Sequence, residues 1–137
     1  MEFHQQVNQQ KSFSEQVISM FPVDVMFSVH GAGLTNLVFM LPGSGLVEVL
    51  PPLFVERYYM YASRKSDIVY QRITETKIVN KTEYIGIKRK IDYTNKVFDV
   101  PIQYVEERML NVTTRVWQNK YSFVDCFDVF SQTTDYS

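Results

Sequence analysis

The chain has 137 residues, of which 45% are hydrophobic and 15% aromatic, and its formal net charge at pH 7 is -1. This length suits one domain with a real core and is too short for a typical two-domain enzyme, while the hydrophobic content excludes general disorder. The small net charge and the pI of about 6.1 lack the basic surplus of a nucleic-acid binder. We therefore expect one α/β domain and no nucleic-acid partner.

Membrane and targeting segments are not predicted in this chain. No apolar run reaches the roughly 18 to 20 residues of a membrane span. Residues 1–11 are rich in glutamine and lack the apolar centre of a signal peptide. The sequence alone therefore predicts no membrane span and no targeting signal.

Cysteine and asparagine positions give further, weaker predictions. Cys126 is the only cysteine, so it forms no internal disulfide and supplies no thiolate cluster for zinc; no metal site is predicted. Asn80 and Asn111 each begin an Asn-x-Thr triplet. Both are candidate glycosylation sites at the surface if the protein enters the secretory pathway, and incidental triplets if it does not.

The first predicted elements are a short helix and a strand. Ser12-Phe13-Ser14-Glu15 has the Ser-x-x-Glu pattern of a capping box, apolar residues follow at near-helical spacing, and Pro22 ends the helix. The segment 23–29 is then mostly apolar and β-favouring. Such a run between proline and glycine is typical of a strand covered on both faces of a parallel sheet.

A tight turn, a buried helix and a second strand come next. The turn contains Gly31 and Gly33, the apolar segment 33–41 predicts a buried helix that ends at Pro42-Gly43, and 46–50 predicts a strand. The crossover between the strands, about sixteen residues, is long enough for a parallel connection, which by chirality should be right-handed.

The rest of the chain is less regular. The tyrosine-rich segment 54–63 is interpreted as a helix leading to a short strand at 67–70, and 71–98 as an irregular basic connector. Asp99 is expected to cap a second helix, since an apolar stripe runs from Ile102 to Val116, and 99–130 forms a C-terminal helix and end segment. Together, residues 1–137 predict a single partial domain of the Rossmann-like kind, a parallel sheet with flanking helices.

The glycine turn is the predicted ligand site. Backbone amides at a helix N-terminus favour a diphosphate where no side chain blocks them, and Gly31-Ala32-Gly33 leaves that approach open. Ligands of open parallel sheets gather at the carboxyl ends of the strands, where this turn lies. His30 can donate to a phosphate or sugar oxygen, with Thr35 and Asn36 adding polar contacts. Alternatively, the His30 side chain is satisfied by hydrogen bonds to the backbone and Asn36 is a local cap. The glycine pair is not specific by itself, because no lysine follows it as in a P-loop.

Glu48 is the second candidate, because a carboxylate among apolar strand residues is costly to bury without hydrogen bonds. A pair of ribose or sugar hydroxyls would satisfy it. The alternatives are an ion pair with Arg57, Arg64 or another basic residue, and an edge-strand position that faces water.

The motifs resemble a known family. Three segments are similar to the signature of glycosyltransferase family 61: His30-Gly31-Ala32-Gly33-Leu34-Thr35-Asn36, the Pro42-Gly43 break and Val47-Glu48-Val49-Leu50-Pro51. That family includes plant xylosyl- and arabinosyltransferases, the EGF-domain-specific O-GlcNAc transferase and the protein O-mannose GlcNAc transferase. The likeness spans residues 12–70, which would form a nucleotide-sugar-binding core.

The resemblance implies the C-terminal half of a GT-B glycosyltransferase that transfers a sugar from a UDP-sugar, with inversion, to a glycan or protein hydroxyl. It implies that the residues from His30 to Asn36 line the diphosphate and sugar and that Glu48 contacts the donor. It also implies a location in the Golgi or endoplasmic reticulum lumen and a missing N-terminal Rossmann-like half. No residue is assigned as the catalytic base, and the need for a metal is left open.

Two other functions fit the same sequence. One is a non-catalytic nucleotide- or glycan-binding module or an inactive remnant, which would bind a nucleotide sugar without turnover. The other is a purely structural α/β domain in which the glycine turn is only a tight connection.

Overall fold

The structure is a computed structural model that describes residues 11–80 and 97–131, with side chains through residue 120. Its elements in chain order are α1 (Phe13–Met20), β1 (Val25–Val29), a 3-10 helix (Ala32–Phe39), β2 (Gly45–Val49), α2 (Tyr58–Lys65), β3 (Val69–Ile73), β4 (Lys77–Ile78), β5 (Phe98–Asp99) and α3 (Ile102–Ser131). The fold is α/β, as the alternation of strands and helices in the sequence predicts.

The centre of the fold is a three-stranded parallel sheet in the order β1-β2-β3. Its register places Ser28 of β1 beside Glu48 of β2, and Glu48 beside Arg72 of β3. Because the strands are parallel and in register, their carboxyl ends meet at one edge of the sheet. The turn at residues 30–33 leaves from that edge.

The two faces of the sheet are covered by different elements. We call the face that carries Leu46 and Glu48 the front face; it packs against α1, the 3-10 helix and α2. Side chains alternate along a strand, so Val47 and Val49 lie on the opposite, back face, where Val112 and Val116 of α3 cover them. As a result, every residue of β2 is buried.

β1 lies at one edge of the described sheet and is covered less completely than expected. Phe27 and Val29 are 45% and 43% exposed, so the prediction of a strand covered on both faces is wrong for β1. The reason is that α3 packs mainly over β2 and β3. The fully covered strand is β2, the next one in the chain.

The local signals at the N-terminus are confirmed. The Ser12 side chain accepts from the Glu15 backbone N–H, and the Glu15 carboxylate accepts from the Ser12 N–H at 2.7 Å, which completes the capping box. The Ser12 hydroxyl also donates to the Glu15 carboxylate at 2.6 Å, and this bond, followed by the one from the Ser12 N–H, lowers the pKa of Glu15. The next helix is a 3-10 helix, and Leu34 and Leu37 are buried on its inner side while Val38 is 56% exposed.

Three boundaries in the second half of the chain differ from the sequence-based prediction. β3 continues to Ile73, and β4 lies within the segment that we interpreted as a connector; residues 81–96 of that segment lie outside the described residues. Asp99 does not cap α3, because it pairs with Lys77 in the β4–β5 ribbon. Pro101 directly precedes α3 instead, where its fixed φ and missing N–H suit a helix start.

Candidate functional site

The turn after β1 is held by the sheet on one side and by a tyrosine on the other. The His30 N–H donates to the Val49 carbonyl at 2.8 Å, which continues the β1–β2 ladder by one residue. The Tyr59 hydroxyl of α2 donates to the Gly31 carbonyl at 2.7 Å. The first hydrogen bond of the 3-10 helix runs from the Leu34 N–H to the same carbonyl at 3.1 Å. The N–H groups of Ala32 and Gly33 precede that bond, so the helix gives them no partner.

Neither glycine of this turn is required by the fold. Gly31 has a φ of 176°, which is extended backbone that any residue adopts. A Cβ on Gly31 would meet its nearest neighbour, the Val29 carbonyl oxygen, at 3.9 Å, and a Cβ on Gly33 would meet nothing within 4 Å. Neither backbone conformation at Gly31 nor packing at either position therefore requires a glycine.

Two other glycines show what a structural requirement looks like. Gly43 has a φ of 82°, in the left-handed region that favours glycine. A Cβ on Gly45 would overlap Val112 of α3. Gly43 is therefore required by the backbone conformation and Gly45 by the packing, whereas Gly31 and Gly33 are required by neither.

The remaining predicted residues of the turn divide between surface and core. Ala32 and Thr35 are exposed, and the Thr35 hydroxyl donates to the Ala32 carbonyl at 2.6 Å. Leu34 is buried in the front-face core. Asn36 is 7% exposed, and its amide donates to the Gln16 side chain of α1 at 3.4 Å. The side chains of Leu34 and Asn36 therefore face the protein, and only their backbone is near the opening.

Glu48 is enclosed, with both carboxylate oxygens engaged. It is 1% exposed at the centre of the sheet. Oε1 lies 2.5 Å from His30 Nδ1, and Oε2 accepts from the Tyr70 hydroxyl of β3 at 2.5 Å. Neither Arg57 nor Arg64 is the partner; the basic residue beside Glu48 is His30. The alternative of an edge position facing water is wrong, because β2 is the central strand of the described sheet.

The carboxylate changes the acidity of two tyrosines. Burial, and then the hydrogen bond to Glu48, raise the pKa of Tyr70. Burial and the charge of Glu48 raise the pKa of Tyr59 as well. Both hydroxyls therefore stay protonated at neutral pH, and Tyr70 acts as the donor to Glu48.

His30, like Tyr70, is partly exposed, whereas Glu48 is buried. Its side chain is 13% exposed, against 1% for Glu48. Its ring lies between Phe54 and Tyr59, with ring centroids at 4.4 Å and 5.2 Å. The ring is thus fixed by aromatic packing and by Glu48 at Nδ1, and its exposed part lies next to the glycine turn.

Sequence reasoning missed Phe54, Tyr59 and Tyr70 as site residues. All three belong to segments read only as a tyrosine-rich helix and a short strand. Their role depends on the parallel register, which brings β3 beside β2, and on the packing of α2 against the 3-10 helix. A buried acid at Glu48 was the available signal, since it required donors from neighbouring strands.

The candidate glycosylation sites lie apart from this network in the chain. Asn80 is exposed two residues after β4, and Asn111 is exposed on α3 beside the buried Val112. Whether either carries a glycan stays a prediction.

Among the described residues, no group of three or more His, Cys, Asp or Glu side chains is arranged to hold a metal ion. Within the same residues, no helix has the length and hydropathy of a membrane span.

Comparison with known proteins gives one match, which covers α1, β1, the glycine turn and the start of β2. No curated protein and no solved structure matches the chain. A family model described as Glycosyltransferase 61 matches residues 1–47. This match confirms the resemblance to that family over residues 1–47.

Proposed function

We propose that the chain is the nucleotide-sugar-binding part of an inverting glycosyltransferase, and that a UDP-sugar binds with its diphosphate at the turn from His30 to Asn36. The observation that carries this proposal is the pair of glycines that neither backbone conformation nor packing requires. Open amides at the start of a helix are donors for a diphosphate. The family match over the same turn supplies the reaction class.

The fold of the whole enzyme, its acceptor and its compartment are inferred from the family resemblance. The described sheet corresponds to the C-terminal half of a GT-B fold, and a second Rossmann-like half would supply the acceptor site. The acceptor would be a hydroxyl of a glycan or glycoprotein in the Golgi or endoplasmic reticulum lumen. In such a transfer, donors stabilise the departing diphosphate while a base takes the acceptor proton. The residues of this chain are proposed to perform the first of these tasks.

Titration with UDP tests the site. We expect saturable changes in the backbone amide signals of Gly31 and Gly33, because the N–H groups of Ala32 and Gly33 would donate to phosphate oxygens and Gly31 directly precedes them. Gly33→Ala places a methyl group in the open space and should weaken UDP binding roughly tenfold, the effect of losing one hydrogen bond to a charged group. Ser14→Ala, on the exposed side of α1, is the control and should bind as the wild type does.

Two results would count against this function. If millimolar UDP left the Gly31 and Gly33 signals unchanged, the turn would not be a nucleotide site and the structural-domain alternative would gain. If UDP-sugars bound but the chain combined with its second half transferred no sugar, the chain would be a non-catalytic binding module.

A further inference from the structure

We propose that Glu48 serves the sugar donor through His30: the Tyr70–Glu48–His30 chain of hydrogen bonds holds His30 so that its Nε2–H donates to the diphosphate. This inference rests on the proposed function and deepens it. It makes His30 the residue that touches the ligand, and Glu48 and Tyr70 positioning residues.

Burial decides between direct and indirect contact of Glu48 with the donor. A ligand hydroxyl could reach Glu48 only by displacing His30 or Tyr70, since the carboxylate is 1% exposed and each of its oxygens has a partner at 2.5 Å. Displacing either one would leave a buried polar group without a partner, which costs about 1 to 3 kcal/mol. His30 is bonded to Glu48 and directly precedes Gly31. Its ring can therefore contact a donor bound at the turn without displacing either partner of Glu48.

The hydrogen bonds fix which nitrogen of His30 is available. The raised pKa of Tyr70 keeps its hydroxyl protonated, so Glu48 Oε2 is an acceptor. Oε1 faces Nδ1 and shares one proton with it. The described residues give Nε2 no hydrogen-bond partner. Packing between Phe54 and Tyr59 prevents the ring from turning Nδ1 outward without loss of these contacts.

Proton counting gives the inference a measurable consequence. The oxygens of a diphosphate diester only accept hydrogen bonds at neutral pH, so Nε2 must carry a proton when it binds them. With a second proton shared between Nδ1 and Glu48, the His30–Glu48 pair holds two protons in the complex. Both ring nitrogens of His30 are therefore protonated in the proposed complex, a state that imidazole nitrogen shifts report.

Few other charges face this pair. β2 contributes Glu48, β3 contributes Tyr70 with Arg72 next to it, and α2 contributes Tyr59 with Tyr58 packed against it. The 3-10 helix carries no charged residue. An imidazolium supported by a buried carboxylate is therefore the cationic donor that this turn has in place of the P-loop lysine.

The test is calorimetric titration of the protein with UDP-glucose and UDP-N-acetylglucosamine near neutral pH, which measures the affinity for each donor. Glu48→Gln should weaken binding by roughly 10- to 100-fold, the range for losing a charge-assisted hydrogen bond.

One further variant keeps the test decisive if Glu48→Gln fails to fold. Tyr70→Phe retains the ring and removes only the donor to Oε2, so it should weaken binding of the UDP-sugars while the fold is kept. The matched controls are Tyr61→Phe and Glu106→Gln, both exposed on helices, which should behave as the wild type does. Imidazole nitrogen shifts read the same state directly, with both nitrogens of His30 protonated in the complex.

The outcomes separate the inference from the proposed function. If the wild type bound neither UDP-sugar, the proposed function and the inference would both fail. If it bound them with Nε2 of His30 unprotonated, or if folded Glu48→Gln and Tyr70→Phe bound them with wild-type affinity, only the inference would be overturned.

Discussion

At the scale of single residues, the buried carboxylate of Glu48 explains most of the chemistry around it. A carboxylate at 1% exposure is tolerated only when its oxygens accept hydrogen bonds. The two donors, His30 and Tyr70, come from the adjacent strands β1 and β3 or their ends. The same residues that stabilise the acid therefore also orient the histidine at the turn.

The raised pKa of Tyr70 predicts a loss of stability at alkaline pH. Its ordinary value is 10.0, and the folded chain holds the proton more tightly than the unfolded chain does. This contribution to stability is fully present below about pH 10 and is lost as the pH rises further, by up to ~1.4 kcal/mol per pH unit. The free energy of unfolding, measured with urea, should fall less between about pH 8 and about pH 11 in Tyr70→Phe than in the wild type.

Tyr61→Phe is the control for this comparison, because Tyr61 is 54% exposed on α2. It should retain the full alkaline loss. An equal loss in Tyr70→Phe and in the wild type would show that Tyr70 does not hold its proton more tightly in the folded state.

At the scale of elements, the packing of α3 on the back face depends on a missing side chain. A Cβ on Gly45 would overlap Val112 and lie 3.1 Å from Val116 Cγ2. α3 approaches β2 closely at this point, and two fully or nearly fully buried valines fill the contact. The position of the longest helix is therefore coupled to one glycine at the start of β2.

Gly45→Ala should destabilise the fold by about 1 to 3 kcal/mol, the usual effect of overpacking. Adding Val112→Ala should recover part of this loss, since it removes the overlapping methyl groups. Gly33→Ala is the matched control, with no atom within 4 Å of the added Cβ, and should leave the unfolding free energy unchanged or slightly higher. Chemical denaturation measures all three, and a Gly45→Ala protein as stable as the wild type would contradict this packing.

At the scale of the whole molecule, the sequence predicted the strand–turn–helix–strand unit because its signals are local. The capping box at Ser12, the β-favouring run before Gly31 and the break at Pro42-Gly43 each act within a few residues. The family resemblance depends on the same contiguous motif, and the match over residues 1–47 confirms it.

The parts that sequence reasoning did not predict depend on contacts between distant segments. The exposure of Phe27 depends on where α3 packs, and the partners of Glu48 depend on strand order. The aromatic residues around His30, Phe54 and Tyr59, both come from the segment interpreted only as a tyrosine-rich helix. Asp99 was misassigned because the pairing of β4 with β5 is not visible from local capping signals.

The central claim is that the open amides after β1 bind the diphosphate of an activated sugar. A crystal structure of the protein with UDP tests it most directly. The account predicts the diphosphate within hydrogen-bond distance of the backbone N–H groups of Ala32 and Gly33, with Nε2 of His30 as a further donor. A fully occupied nucleotide bound elsewhere on the chain, with the turn empty, would contradict it.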